Sequence, residues 1–472
     1  MLAPSYDEMP PPYSTTFIDL KPRINETMGY FCAGSTNCQY LDSIIEFSYA
    51  GIFMLAVYPS ILFCLKLKLK RTFLLGSLIT IFGGCIRFGG SLSFLSVTFR
   101  YYLTICGHLI VAIAHPLLLC TAPVVAQKWF PTYQRTFATS LIIYAHFAGQ
   151  MFNFIFVPII RNFLPDNFGY MILNGIPILI CLISMTASWL LSKGSPTTPA
   201  SASSDGKAVM FQPGTNLFVQ PAFIAQIILF GISFGSFKFI SLWQFSLFCP
   251  QGYLPITASS SFKGFYTFFF LGSTLAGTLL LSAIIDQFHK YKKVYRFCFA
   301  LTTFGIGLFA WVLQKQDRTT TLLIALFIIG FFGVGSIGIG METSCETVFP
   351  VDSGIVSGML LSAGYFFYIL LAIGTIFTRN LVSYEEFPTE QCSNGLFNQF
   401  YEFSDTAEVL SFITCAGLVL CLLGLHARRR RYDYEAAAKL MRISVFNTSH
   451  STIPFRHFPT ASTSQTHLAS EF

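Results

Sequence analysis

Charge is what this sequence has least of: Asp, Glu, Lys and Arg together make up 11% of 472 residues, where an average soluble domain carries roughly a quarter. That scarcity excludes an ordinary water-soluble domain of this size. The 13 cysteines contain no CxxC pair, which leaves zinc-ribbon and thioredoxin-like chemistry without a motif and makes most of them small apolar fillers inside helices. No Gly-Lys-Ser/Thr follows a glycine-rich run, so ATP-driven transport has no support. A continuous basic face interleaved with aromatics is missing, and nucleic acid is not an expected partner. No nucleophile and base, and no metal triad, stand at a recognisable spacing within the apolar segments. An enzyme, a resident metal and a cofactor are therefore not expected. The opening MLAPSYDEMPPPYSTTF, with acidic residues and clustered prolines, lacks the apolar core of a secretory signal.

What is present is apolar length. The chain is 53% hydrophobic with 53 Phe and a mean hydropathy of +0.60, a composition suited to lipid-facing helices. A bilayer core needs about 20 apolar helical residues. Such windows fall near Ser43–Leu65, Phe73–Leu95, Tyr102–Ala126, Phe137–Ile160, Met171–Leu191, Phe218–Leu247, Gly264–Ile285, Val294–Leu313, Thr320–Glu342, Gly354–Phe377 and Val409–His426. The expected fold is an all-α polytopic membrane protein of two helical bundles and about 11 transmembrane helices.

Residues 193–216, rich in Gly, Ser, Pro and Thr, read as a flexible linker between a five-span bundle (43–192) and a six-span bundle (217–427). Loop charge orients the whole. Lys66, Lys68, Lys70 and Arg71, then Lys128 and Arg135, then Lys290, Lys292, Lys293 and Arg296, then Arg428 to Arg431 all fall on one side. That side is expected to be cytoplasmic, with the linker and the tail 428–472, and residues 1–42 are expected outside. The sequon at Asn25 then becomes a glycosylation site, and the one at Asn447 does not.

Ionisable residues within spans are expensive and point to function by default. Lys238, in FGSFKFISLW, either faces a cavity or snorkels to the outer interface. Arg87, in GGCIRFGGS, is flanked on both sides by glycine pairs that would admit a neighbouring backbone; functional and structural readings are both open. His146, Gln150 and Asn153 fall at i, i+4 and i+7, one helical face, and read as a cavity wall or as interhelical glue. Tyr365 and Tyr368 offer an aromatic face from a later span. His108 and His115 are read as structural. Glycines 330, 333, 335, 338 and 340 read as a close helix contact. Glu342 and Glu346, four apart, are either a solvated helix end or an inner gate paired with basic loops.

Two segments carry a resemblance. GHLIVAIAHPLLLCTAPVVAQKWFPTYQRTFATS from Gly107, with Trp129, Phe130 and Pro131, and GFFGVGSIGIGMETSCETVFPVDSGIVSGML from Gly330, with Glu342, Glu346, Phe349, Pro350, Ser357 and Gly358, resemble the feline leukaemia virus subgroup C receptor family of major facilitators. The resemblance runs from about Asp42 to Val382 and makes the chain a divergent member without an equivalent of the first helix. It implies a secondary-active transporter of a small organic solute working by alternating access in a lipid bilayer, with the plasma membrane as the expected site. The family range is choline, ethanolamine and haem. The resemblance also implies that Phe147 stands for a Gln of the choline cage, Lys238 for a Tyr and Tyr365 for a Gln. A cation in an ammonium cage turns the expectation toward an anionic or zwitterionic metabolite. The acidic residue of the superfamily's gate clip survives in the second half as Asp286, whereas the first-half loop offers only basic residues, Lys66 and Arg71 among them. A non-transporting receptor or sensor on the same fold is the competing expectation.

Overall fold

A computed structural model describes residues 41–67, 69–164, 166–191, 196–205, 220–248, 251, 253, 265–288, 290–315, 318–378, 380–382, 400–425 and 430–449. The apolar segments fold as helices because a backbone in lipid must satisfy its own N–H and C=O groups. The first half comprises α1 (Leu41–Lys66), α2 (Leu69–Gly89), α3 (Val97–Leu119), α4 (Ala122–Trp129), α5 (Arg135–Phe163) and α6 (Asp166–Leu191). The second comprises α7 (Pro221–Phe248), α8 (Phe265–Phe288), α9 (Tyr291–Leu313), α10 (Thr319–Ile328), a π-helical turn (Ile329–Val334), α11 (Ile337–Thr347), α12 (Ser353–Thr378) and α13 (Ser404–Gly424). A short antiparallel hairpin, β1 (Asn380–Val382) with β2 (Phe400–Glu402), joins α12 to α13.

α3 runs on into α4, and α10 into α11 through the π turn, so each series makes one rod. Ten rods are long and apolar enough to cross a membrane. The eleventh is α5, whose 29 residues reach across a bilayer at about 1.5 Å per residue. Among the described residues five rods precede the linker and six follow it. α4 ends where Phe130 turns extended and Pro131 follows, because proline supplies no N–H to continue the ladder.

Glycine sets the closest approaches. A Cβ at Gly107 would lie 2.6 Å from both the Arg87 N and the Gly83 carbonyl oxygen, so α2 and α3 pack backbone to backbone beside Arg87. Gly335 meets the backbone of Gly277, and Gly338 meets Ser140. The glycine run is thus a contact surface. The halves meet along α1 with α12, where Ile61 and Val57 press on Gly358, and along α5 with α8.

One expectation needs correction, and one element was not anticipated. Part of the linker is ordered: Ala202–Ser204 form a 3-10 turn with Ser203 buried. The polar tail forms a helix, α14 (Arg430–Ser449), which docks on the ends of the bundles. Both gain their order from buried charge contacts that local composition does not reveal.

Candidate functional site

The end of the molecule that carries the basic loops is closed by a charge network. Glu342 and Glu346, on one face of α11, both hold Arg431 of α14: the guanidinium lies 2.5 Å from the Glu342 carboxylate and 3.3 Å from that of Glu346. The Tyr432 N–H donates to Glu346 at 3.1 Å. One turn further along α14, Glu435 pairs with Arg135 of α5 at 2.9 Å and accepts from the Ser203 hydroxyl, while Arg135 donates to Ser201. Arg135, Arg431 and Glu342 are each 1% exposed. Burial on this scale is tolerable only because every charge has an opposite partner with further hydrogen bonds.

Asp286, at the end of α8, accepts the backbone N–H groups of Thr136 and Phe137 at 3.3 and 2.8 Å. A carboxylate from the second half thereby caps the start of a helix in the first, where orphan donors and the helix dipole both favour it. Ser353 donates to Gln127, which donates to the Ser203 carbonyl oxygen, and Ser357 donates to the Cys120 carbonyl oxygen at 2.7 Å. The two halves are therefore latched together at this end.

Midway along the rods lies a second cluster, built from α1, α3, α5, α7 and α12. Lys238 is 6% exposed, with its Nζ 6.0 Å from the centre of the Tyr365 ring and close enough to act electrostatically on His115 and His146. Tyr49 and His115 share a 2.6 Å hydrogen bond, and the His115 and His146 rings stand 5.1 Å apart. Phe53 stacks on Tyr365 at 4.0 Å, and Phe147 meets Phe237 edge-on. Two buried polar atoms here, the Tyr365 hydroxyl and His146 Nε2, have no hydrogen-bond partner among the described residues. Unmade hydrogen bonds at buried atoms are costly and mark a place where something else supplies them.

No family model matches the sequence. It is 28% identical over 357 residues to Solute carrier family 49 member A3 of Danio rerio, covering 75% of this chain and 72% of the relative. It is 20% identical over 330 residues to the choline/ethanolamine transporter FLVCR2 of Homo sapiens, covering 65% and 59%. The fold matches the proton:xylose symporter XylE with a TM-score of 0.66 at 11% identity, covering 86% of this chain and 91% of the symporter. The chain is similar in sequence to the feline leukaemia virus subgroup C receptor-type transporters and has the major facilitator fold. It is a multi-pass membrane protein and a secondary transporter.

In this receptor-like transporter the residues singled out from sequence separate into three groups. Glu342, Glu346 and Asp286 enter the latch, with Arg135 and Arg431 as the buried cations. Lys66 and Arg71 stand exposed, and no ion pair joins them to it among the described residues. Lys238, His146, Phe147 and Tyr365 meet in the central cluster, and Lys238 does not snorkel to the surface. Arg87 lies apart, beside His108 between α2 and α3. Gln150 and Asn153 lie on α5, but their side chains, like Asn25, fall outside the described residues. Sequence reasoning missed the tail's contribution. Its signal was present: Arg431 and Glu435, four apart and opposite in sign, form a charged pair on one helical face, Arg431 matching the two glutamates of α11 and Glu435 matching Arg135.

Proposed function

We propose that this transporter carries a small organic anion or zwitterion, held between the halves by Lys238, His146 and Tyr365, and that the basic end is cytoplasmic. The carrying observation is the pair of buried, unsatisfied atoms, Tyr365 hydroxyl and His146 Nε2, beside the Lys238 ammonium. Two hydrogen-bonding atoms and a cation form a recognition set for a carboxylate or phosphate. The aromatic walls, Phe53, Phe147 and Phe237, would enclose an apolar body. A choline-like ammonium is disfavoured although relatives bear choline/ethanolamine transporter names, because Lys238 sets its own ammonium over the Tyr365 ring and repels a second cation.

Purified transporter in liposomes, offered radiolabelled carboxylates, amino acids, phosphoesters and choline in turn, is expected to show saturable uptake of an anionic or zwitterionic member. Lys238→Met should abolish that uptake and leave expression and folding intact. Robust choline uptake indifferent to Lys238→Met would refute the assignment. The orientation is tested separately by N-glycosidase: Asn25→Gln should remove the mobility shift, and a shift removed only by Asn447→Gln would invert the topology.

A further inference from the structure

The latch joins the two halves through α14. In alternating access the two halves must part at the end where they are closed, and α14 touches both of them. Its contacts are unequal. To the second half it gives Arg431 on Glu342 and Glu346, the Tyr432 N–H on Glu346, and the Tyr434 ring 5.2 Å from Phe349. To the first half and the linker turn it gives Glu435, shared between Arg135 and Ser203.

We infer that the tail helix is a permanent passenger of the second half, anchored by Arg431, and that Glu435 with Arg135 and Ser203 is the joint that breaks and re-forms in each transport cycle. Arg431 and Glu435 are thus positioning residues of the gate with different duties. Arg431 neutralises two buried carboxylates in both conformations. Glu435 favours only the closed one, since opening returns Arg135 and Glu435 to water. The two carboxylates of α11 would hold their ion pair through the motion because stripping the cation from both would leave uncompensated charge, whereas the Glu435 joint is a single pair whose cation, Arg135, belongs to the other half. The inference does not depend on which solute is carried.

Native cysteines report the two events separately. Cys120 is buried where Ser357 bridges the halves. Cys345 is buried between Glu342 and Glu346, within the field of Arg431. Cys298, buried in α9, reports unfolding. The experiment is maleimide labelling of the full-length protein in detergent, read site by site by peptide mass. Glu435→Gln is expected to speed labelling of Cys120 by about tenfold, the equilibrium worth of one charge-assisted contact, and to leave Cys345 protected. Arg431→Gln should expose both. Pairing Arg135→Glu with Glu435→Arg should restore protection of Cys120.

An unchanged Cys120 rate in Glu435→Gln overturns the inference, as does exposure of Cys345 in that variant to the level seen in Arg431→Gln. If Cys298 reacts as well, the variant has unfolded and Ser203→Ala decides. That change removes only the hydroxyl contact at the same joint, and it should speed Cys120 alone by a smaller factor. No change at Cys120 in Ser203→Ala would then sink the joint.

Discussion

The latch and the central cluster bury cations in different company. Arg135 and Arg431 are met by carboxylates drawn from two separate stretches of chain, α11 and α14. Lys238 is set among imidazoles and aromatic rings, with hydrogen-bonding atoms left open beside it. Charge that is matched internally closes a structure. Charge surrounded by unmatched polar atoms instead prepares a structure to receive something. The same cost of burial, several kcal/mol per ion, serves stability at one level of the molecule and recognition at the other.

The largest effect that would break this contrast lies in the latch. Glu342→Gln leaves Arg431 with Glu346 alone and should lower stability by about 3–5 kcal/mol, the range for opening a buried ion pair, read as a drop in thermal midpoint in detergent. A midpoint like the wild type's would mean that the buried pair is not holding this end together. Next comes Lys238→Met. If the cluster is built for a ligand, the change should abolish uptake while the midpoint falls far less than in Glu342→Gln. A fall as steep as that of Glu342→Gln would make Lys238 structural and erase the contrast. Tyr365→Phe is a finer probe. It removes an oxygen that has no partner among the described residues, so the empty protein should be nearly unaffected, while the apparent KM rises by the worth of one hydrogen bond, about 0.5–1.5 kcal/mol. Smallest are Lys66→Gln and Arg71→Gln. Both positions are exposed, and each change should move stability by less than about 0.5 kcal/mol and leave transport intact. A transport defect in either would enlist it in the gate after all.

The eleven rods were legible because apolar length is a local property, and boundaries agreed to within a turn or two; α2, for example, stops at Gly89 rather than continuing to Leu95. Lys238 was legible as an ionisable residue inside a span. Of its surroundings, His146, Phe147 and Tyr365 were singled out but Tyr49 was not, since it comes from another rod and nothing within one helix announces that its partner His115 lies 66 residues away. The tail was least legible. α14 is polar, and the contact that orders it, Arg431 with Glu342, spans 89 residues. Composition describes a segment's solvent preference but is silent about a charge awaiting it elsewhere.

The cap that Asp286 places on α5 gives the closed state a spectroscopic signature. The amides of Thr136 and Phe137 donate to a carboxylate that belongs to the opposite half, so their protection from solvent exchange exists only while the halves are together. Parting the halves hands both donors to water without melting the helix behind them. In hydrogen–deuterium exchange these two amides should therefore take up deuterium at the frequency of the transport cycle, ahead of Thr139 and Ser140 one turn further in, and a solute that arrests the closed conformation should silence them first.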